Sequence, residues 1–332
     1  MAKAFLRTTE LQSERGIGTL PVSTSSLISP PLTATAHMKP KKIEEKTLSR
    51  IVYLNGKYLP ADEAKVSIFD RGYIFGDGVY EVVPVFEAAV VDKQYFLERL
   101  DRSLNEIQID WPCSKEEYLQ VMSELVKRNN LREGVVYSQV TRGVAVRDFP
   151  FPENTAPAFM AFSTEMNLLN SPAAATGIKV ATTADLRWKR RDIKSINLLG
   201  QCMAKQDAVS KGAKEGWMVE DGFVTEGVSS SAYIVKDSKI VTRPLSNLIL
   251  PGIRRRTLLE LAEQTGIEIE ERLFTVEEAI AADEAFISSA TTMALGVVDI
   301  DGHQIGNGTP GPITQKMRQL YTDRVLTEAR LI

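Results

Sequence analysis

From Arg50 onward, apolar residues alternate or cluster in short runs, each bounded by turn-forming residues. IVYLNGKYLP (51–60) alternates on both sides of Asn55-Gly56, a pair suited to a two-residue hairpin, so two short strands are expected. GVYEVVPVF (78–86) continues as a strand, with VVDKQ (90–94) as its return. The period then changes. In FLERLDRSLNEIQI (96–109), Leu97, Leu100, Leu104 and Ile107 recur at helical spacing. Ser114 and Glu117 open SKEEYLQVMSELVKRNN as a capping box, and an amphipathic helix follows. VVYSQVTRG (135–143) and APAFMAFS (156–163) are strand-like, and MNLLNSPAAATG (166–177) has the composition of a linker.

The second half repeats the alternation without repeating the sequence. GIKVATTADLRW (177–188) predicts a strand, then a helix from Ser195 or Asn197 that ends at Gly212. Leu198, Leu199, Cys202, Met203 and Val209 share one face of it. WMVEDGFVTEG (217–227) folds about Asp221-Gly222, and SAYIVKDSKIVTRPL (231–245) is a further hairpin. LPGIRRRTLLELAEQTG (250–266) is a strand end or loop, then a helix closed by Gly266. Thr275 and Glu278 suggest a second capping box, strands flank Asp301-Gly302, and residues 312–329 form a last amphipathic helix. The fold class is therefore α/β of the mixed, α+β kind. A small domain is expected over 50–165, a linker over 166–173 and a larger domain over 174–332, within a length that suits two domains. Residues 1–49 are rich in Ser, Thr and Pro and lack a period, so a disordered extension is expected. Met38 is the favoured native start, with an organelle transit peptide in 1–37 as the alternative.

Composition narrows the chemistry. A net charge of −3 with interspersed signs gives no pull toward nucleic acid or an anionic membrane. Cys113 and Cys202 are far apart, which suits a reducing compartment and offers no metal framework. With two histidines, His37 and His303, a histidine-based triad is excluded as a first choice, and the proton carrier is expected to be a lysine, carboxylate or tyrosine.

Lys194, in DIKSINLLG, stands at a strand-to-helix junction. Most lysines are solvated charges, but an amine partly withdrawn from water at such a junction can form a Schiff base with a carbonyl cofactor and then carry protons. Pyridoxal 5'-phosphate would also need an acid for its ring nitrogen and a site for its phosphate. Glu226, before a Gly/Ser-rich turn, is the candidate acid, although an ordinary turn acid reads the same way. Gly252 precedes a helix, whose first N–H groups at Ile253 and Arg254 form an anion site. Ser289 and Thr291 offer hydroxyls and Arg99 a guanidinium. Arg254–Arg256 add weight to the phosphate site, because positive charge at a helix start is unfavourable without a nearby anion. The Gly76-x-Gly78 pattern is not a dinucleotide fingerprint: no third glycine follows, and a strand comes next.

FDRGYIFGDGVYEV, ERLDRSLNEI, QVTRGVAVRDFPFPEN, DIKSINLLGQCMAKQDA, VTEGVSSSAYIV and LPGIRRRTL occur in this order. With them the chain resembles the fold-type IV, or class IV, pyridoxal-phosphate aminotransferases, most of all those acting on D-amino acids. The resemblance runs from about Arg50 to near the C-terminus. It implies that Lys194 binds the cofactor and moves the proton, that Glu226 pairs with the ring nitrogen, and that Arg99, Ile253 and Arg254 hold the phosphate. It implies that Leu250 packs on the ring and that Tyr80 and Arg147 meet the substrate. Arg147 would hold the α-carboxylate from a neighbouring subunit, so a homodimer is implied, in the cytoplasm. Three positions depart from the pattern: Phe149 replaces a histidine beside Arg147, Ala290 a phosphate-site threonine, leaving Thr291 as the contact, and Ser231 an asparagine. Branched-chain L-amino-acid aminotransferases, aminodeoxychorismate lyases and (R)-selective amine transaminases share the fold, and a non-catalytic cofactor-binding protein is a further alternative. The implied reaction moves the amino group of D-alanine, D-glutamate or D-aspartate to a 2-oxo acid in two half-reactions.

Overall fold

Asn55 and Gly56 take φ values of 45° and 87°, the left-handed turn that their types favour, and join strands β1 (Ile51–Leu54) and β2 (Lys57–Pro60). The computed structural model describes residues 50–331. The extension expected over 1–49 lies outside them. Strands β3 (Gly78–Phe86), β4 (Ala89–Val90), β5 (Gly134–Thr141) and β6 (Ala158–Glu165) complete an antiparallel sheet in the order β2-β1-β6-β5-β3-β4. A five-residue helix, α1 (Arg71–Phe75), precedes β3; it was not expected, and Asp70 caps it through the Gly72 N–H.

Val79, Val83, Val136, Val140 and Phe159 project from one face of this sheet onto helices α2 (Lys93–Glu106) and α3 (Lys115–Arg128). Phe96, Leu100, Leu104, Met122 and Leu125 fill the interface. The capping box at Ser114 and Glu117 forms in both directions. The other face carries Tyr80, Tyr137 and Phe162 in a stacked row, with ring centroids 5.5 and 4.9 Å apart.

After a short helix, α4 (Pro172–Thr176), which starts at the end of the expected linker and runs past it, a second sheet of nine strands begins. It contains β7 (Ile178–Ala184), β8 (Glu215–Glu220), β9 (Phe223–Gly227), β10 (Ser231–Lys236), β11 (Lys239–Thr242), β12 (Ile269–Glu271), β13 (Glu284–Ser289), β14 (Met293–Ile300) and β15 (His303–Gln304). Their order is β12-β11-β10-β13-β14-β7-β8-β9, with β15 on β14, and the sheet curls until β9 lies against β10. Trp217, Ile234, Phe274, Ile287 and Val297 fill the inside of this half-barrel. Helices α5 (Leu199–Ser210), α6 (Ile253–Gln264), α7 (Val276–Ile280) and α8 (Pro312–Arg330) surround it. A third cluster joins Phe86, Val91 and Val135 of the first sheet to Tyr233, Leu258, Met317 and Tyr321.

Three local expectations are corrected. The helix after Lys194 starts at Leu199 rather than at Ser195 or Asn197, because residues 194–196 hydrogen-bond to β3 instead. Its larger apolar residues face outward: Leu199 is 74% exposed, Met203 and Val209 are also exposed, and the buried side is Ala204 and Ala208. The box at Thr275 is half formed, since Glu278 gives its N–H to Thr275 but turns its carboxylate to Arg272.

Candidate active site

Lys194 is held by its backbone before its side chain is considered. Its carbonyl accepts the Tyr80 N–H at 3.0 Å, and Ile196 N–H reaches Gly78 O at 3.1 Å, an antiparallel bridge from the segment between β7 and α5 onto β3. The bridge lays the amine over the Tyr80 ring, 4.2 Å from the centroid. Lys194 is partly buried and opens into a cavity of about 290 Å³. Tyr80, Arg99, Glu226, Leu250, Ile253, Arg254, Ser289 and Thr291 line the same cavity, so the fold gathers the expected cofactor residues from segments up to some 200 positions apart. Arg147 and Phe149 do not line it.

Glu226 is the penultimate residue of β9, just before the turn at 228–230, and is buried. Its Oε1 accepts from Arg187 Nη1 at 2.5 Å, and both its oxygens lie 3.2 Å from the Leu250 N–H. Burial pushes its carboxyl above the ordinary value, and Arg187 and the Leu250 N–H oppose that push without cancelling it. Arg187 in turn forks onto Asp185 at 2.9 and 2.8 Å. Burial alone would weaken this guanidinium, but Asp185 and Glu226 outweigh it and hold its pKa above the usual arginine range. Asp185 also accepts from Thr225 at 2.7 Å and lies 3.1 Å from Arg191; despite burial, Arg187 and these neighbours hold its carboxyl below the usual range. Asp185, Arg187 and Arg191 were missed in the sequence. The signal was the charge-dense DLRWKRRD directly before Lys194, where buried charges at a strand end demand partners.

The start of α6 is open. Gly252 is the N-cap, and no side chain caps the first turn, so the N–H groups of Ile253 and Arg254 face the cavity wall without intrahelical partners. A Cβ on Gly252 would lie 2.8 Å from Ser231 Oγ, so a glycine lets the chain pass close to the β10 start. Arg99 approaches from α2, with Glu81 at 2.8 and 2.6 Å and Pro251 O at 3.2 Å. Ser289 Oγ lies 3.2 Å from Thr291 Oγ1 and 3.0 Å from Thr292 Oγ1, in the loop after β13. Contrary to expectation, the charges of Arg254–Arg256 do not call for an external anion. Arg254 pairs with Asp92, Arg255 with Glu271, and Arg256 with Glu98 and Glu260, so carboxylates already answer all three charges. The uncapped amides, and not those side chains, leave this helix start open to an anion.

Arg147 lies on an exposed loop after β5, its guanidinium 5.5 and 5.6 Å from the Phe75 and Phe149 ring centroids. The loop is pinned from below, where Arg71 reaches Asp148 O at 2.6 Å and both Arg71 and Arg142 meet Asp77. Around it Ile68, Phe69, Tyr73, Val144 and Phe151 are exposed, with Val146 at 89% and Phe149 at 75%. Among the described residues no cluster of side chains is suited to a metal ion, and no helix is long and apolar enough to cross a membrane.

Residues 78–300 match the family described as amino-transferase class IV. The chain belongs to the class IV aminotransferases. It is 42% identical to the D-alanine aminotransferase of Staphylococcus haemolyticus, over 81% of this chain and 95% of that protein. It is 39% identical to the D-alanine aminotransferase of Bacillus licheniformis, over 83% and 98%. The solved structure of the T.th. branched-chain amino acid aminotransferase with pyridoxamine 5'-phosphate superposes with a TM-score of 0.79, at 25% identity over 83% of this chain and 94% of that one. The mixed α/β architecture expected from the sequence is that of this aminotransferase.

Proposed function

We propose that this protein is a pyridoxal-phosphate-dependent transaminase of D-amino acids, moving the amino group to a 2-oxo acid. The observation that carries the reading is the meeting, in one cavity, of a lysine amine, a buried carboxylate and an uncapped helix start. These three match the aldehyde, the ring nitrogen and the phosphate of the cofactor. Identity of about 40% to proteins named D-alanine aminotransferase, against 25% to a branched-chain enzyme, supports the D-amino-acid choice over the L-amino-acid one.

Bound pyridoxal phosphate supplies a ring that draws the electron pair released at the amino acid's Cα. The protein does the rest. Glu226, held by Arg187 and the Leu250 N–H, would pair with the ring nitrogen and favour its protonated form. The Ile253 and Arg254 amides and Arg99 would hold the phosphate, and Leu250, which lines the same cavity, would pack on the ring. Lys194 would hold the cofactor through its Nζ and, as the free amine, would take up and return the proton at the substrate Cα. Tyr80, against which that amine rests, limits its arc.

The catalytic unit is a homodimer in this reading, with Arg147 of one copy holding the substrate carboxylate at the cavity of the other. Its support is twofold: Arg147 stands outside its own cavity, and the surface around it is apolar and exposed.

The test is spectroscopic. The purified protein is mixed separately with D-alanine and L-leucine, without an oxo acid, and its absorption followed. Conversion of the lysine-bound cofactor band to that of pyridoxamine phosphate by D-alanine alone is expected. Conversion by L-leucine alone reassigns the enzyme to L-amino acids, and no cofactor band at all removes Lys194 from the chemistry.

A further inference from the structure

Buried polar atoms nearly always have hydrogen-bond partners, so those that lack one mark a place that something else completes. Among the described residues four such atoms belong to side chains lining the Lys194 cavity: Asp92 Oδ1, Arg254 Nε, Gln201 Oε1 and Ser230 Oγ. Asp92 and Arg254 are ion-paired with each other, and the Tyr321 hydroxyl gives Asp92 a further hydrogen bond at 2.8 Å. Gln201 and Ser230 belong to no such pair.

Gln201 sits in the first turn of α5 and lines the same cavity as Lys194, Ser195 and Leu198, seven positions or fewer before it in the chain. Ser230 sits in the turn between β9 and β10, with its oxygen directly over Gly227: a Cβ there would lie 2.1 Å away. Turning a glutamine amide about its last bond presents either its oxygen or its NH2 to the same point, so Gln201 can meet an acceptor as well as a donor.

The next step rests on the reading of the cavity as a pyridoxal phosphate site. Around that ring the aldehyde carbon has the phosphate-bearing arm on one side and a phenolic oxygen on the other, with the ring nitrogen opposite. Lys194 takes the aldehyde, the α6 start and Arg99 the phosphate, and Glu226 the nitrogen. One polar handle is then left without a partner, the phenolic oxygen. It belongs beside the lysine and away from the phosphate cradle, which is the wall that continues from Lys194 into α5. We propose that Gln201 is a cofactor-binding residue whose side-chain N–H donates to the phenolic oxygen.

A donor at that oxygen fixes the rotation of the ring about the axis from Lys194 to Glu226 and stabilises the ionised phenol. Its loss is felt only by a ligand that carries the oxygen. The test therefore compares pyridoxal 5'-phosphate with 3-deoxypyridoxal 5'-phosphate, titrated into the cofactor-free full-length protein and followed by quenching of tryptophan fluorescence. In the unaltered protein the first is expected to bind about tenfold or more tightly than the second, the effect of one hydrogen bond to a charged group. Gln201→Leu, similar in size, is expected to bring that ratio to about one by weakening only the phenol-bearing ligand, and Gln201→Glu to invert it by setting two negative oxygens together.

A ratio in Gln201→Leu equal to that of the unaltered protein overturns the assignment, as does an equal loss for both ligands. Collapse of the ratio in Ser230→Ala but not in Gln201→Leu gives the contact to Ser230 and overturns it too. If the unaltered protein binds neither ligand, the functional reading fails before Gln201 is reached, so the two failures are distinct.

Discussion

Replacement of Arg187 by methionine isolates the buried charge network beneath the cavity. The side chain is 6% exposed, and it stands between the fully buried side chain of Asp185 and that of Glu226, 7% exposed. Methionine keeps much of the volume and removes the cation. Asp185 retains Arg191 at 3.1 Å and Thr225, but Glu226 keeps only the Leu250 N–H. Breaking a buried pair by removing one partner costs about 3–5 kcal/mol. In a chain of this size each kcal/mol moves the unfolding midpoint by roughly 2–4 °C, so Arg187→Met should unfold on the order of 10 °C lower. The sign of its pH dependence follows from Glu226. Burial already raises that carboxyl, and loss of Arg187 removes the main opposing influence. A carboxyl raised above its unfolded value keeps the folded state favoured below the unfolded value and loses that contribution as pH rises through the folded one. The deficit of Arg187→Met relative to the unaltered protein should therefore be larger at pH 8 than at pH 5.5. Thermal unfolding of the cofactor-free proteins measures it. In the double variant with Glu226→Gln the deficit should shrink, because no buried charge is left alone there. A deficit below about 1 kcal/mol, or one that does not change with pH, would refute the view that Arg187 neutralises Glu226.

Lys194→Ala should lower turnover by at least about a thousandfold, as expected for loss of both covalent tether and proton carrier, while cofactor still binds through the α6 start and Arg99; equilibrium dialysis and steady-state rates separate the two. Arg147→Ala should raise the KM for a D-amino acid far more than for a simple amine, and equal changes would show that Arg147 does not meet the carboxylate. Unfolded together and refolded, Lys194→Ala and Arg147→Ala should regain about a quarter of full activity, since half the dimers are mixed and each has one complete site; no recovery would place Arg147 at its own subunit's site. Asp185, whose carboxyl is held below the usual range by Arg187 and its neighbours against the effect of burial, should contribute stability that is present above about pH 4 and lost as pH falls through its lower folded value; urea unfolding of Asp185→Asn should show a flatter acid limb.

What could be read in the sequence was local. The hairpins at Asn55-Gly56, Asp221-Gly222 and Asp301-Gly302 follow from residue types that tolerate positive φ, and the structure has positive φ at all six. The box at Ser114 closes because Glu117 has no cation paired with it among the described residues, whereas Glu278 has Arg272 within reach and takes it. The misreading after Lys194 has the opposite cause. SINLLG suits a helix, but the β3 backbone, more than a hundred residues earlier, offers hydrogen bonds to 194–196, and no local pattern announces that. The expected cofactor residues reach one cavity from different kinds of position: Glu226 and Ser289 near strand ends, Ile253 and Arg254 at a helix start, Arg99 within α2, and Lys194, Leu250 and Thr291 on segments between elements. Arg147 and Phe149 stay outside it because they lie on a loop pinned at its base by Arg71, Arg142 and Asp77.

The arginines around the cavity carry a consequence for the order in which the enzyme is assembled. Arg99 is matched by Glu81, Arg187 by Asp185 and Glu226, and Arg254 by Asp92. A receptor for a dianion that left such charges open would rely on the ligand to quiet their mutual repulsion. Here each is quieted from within, so the chain can complete its folding as a finished receptacle and load its cofactor afterwards. Loading would then add its binding energy to a structure whose cavity charges are already paired.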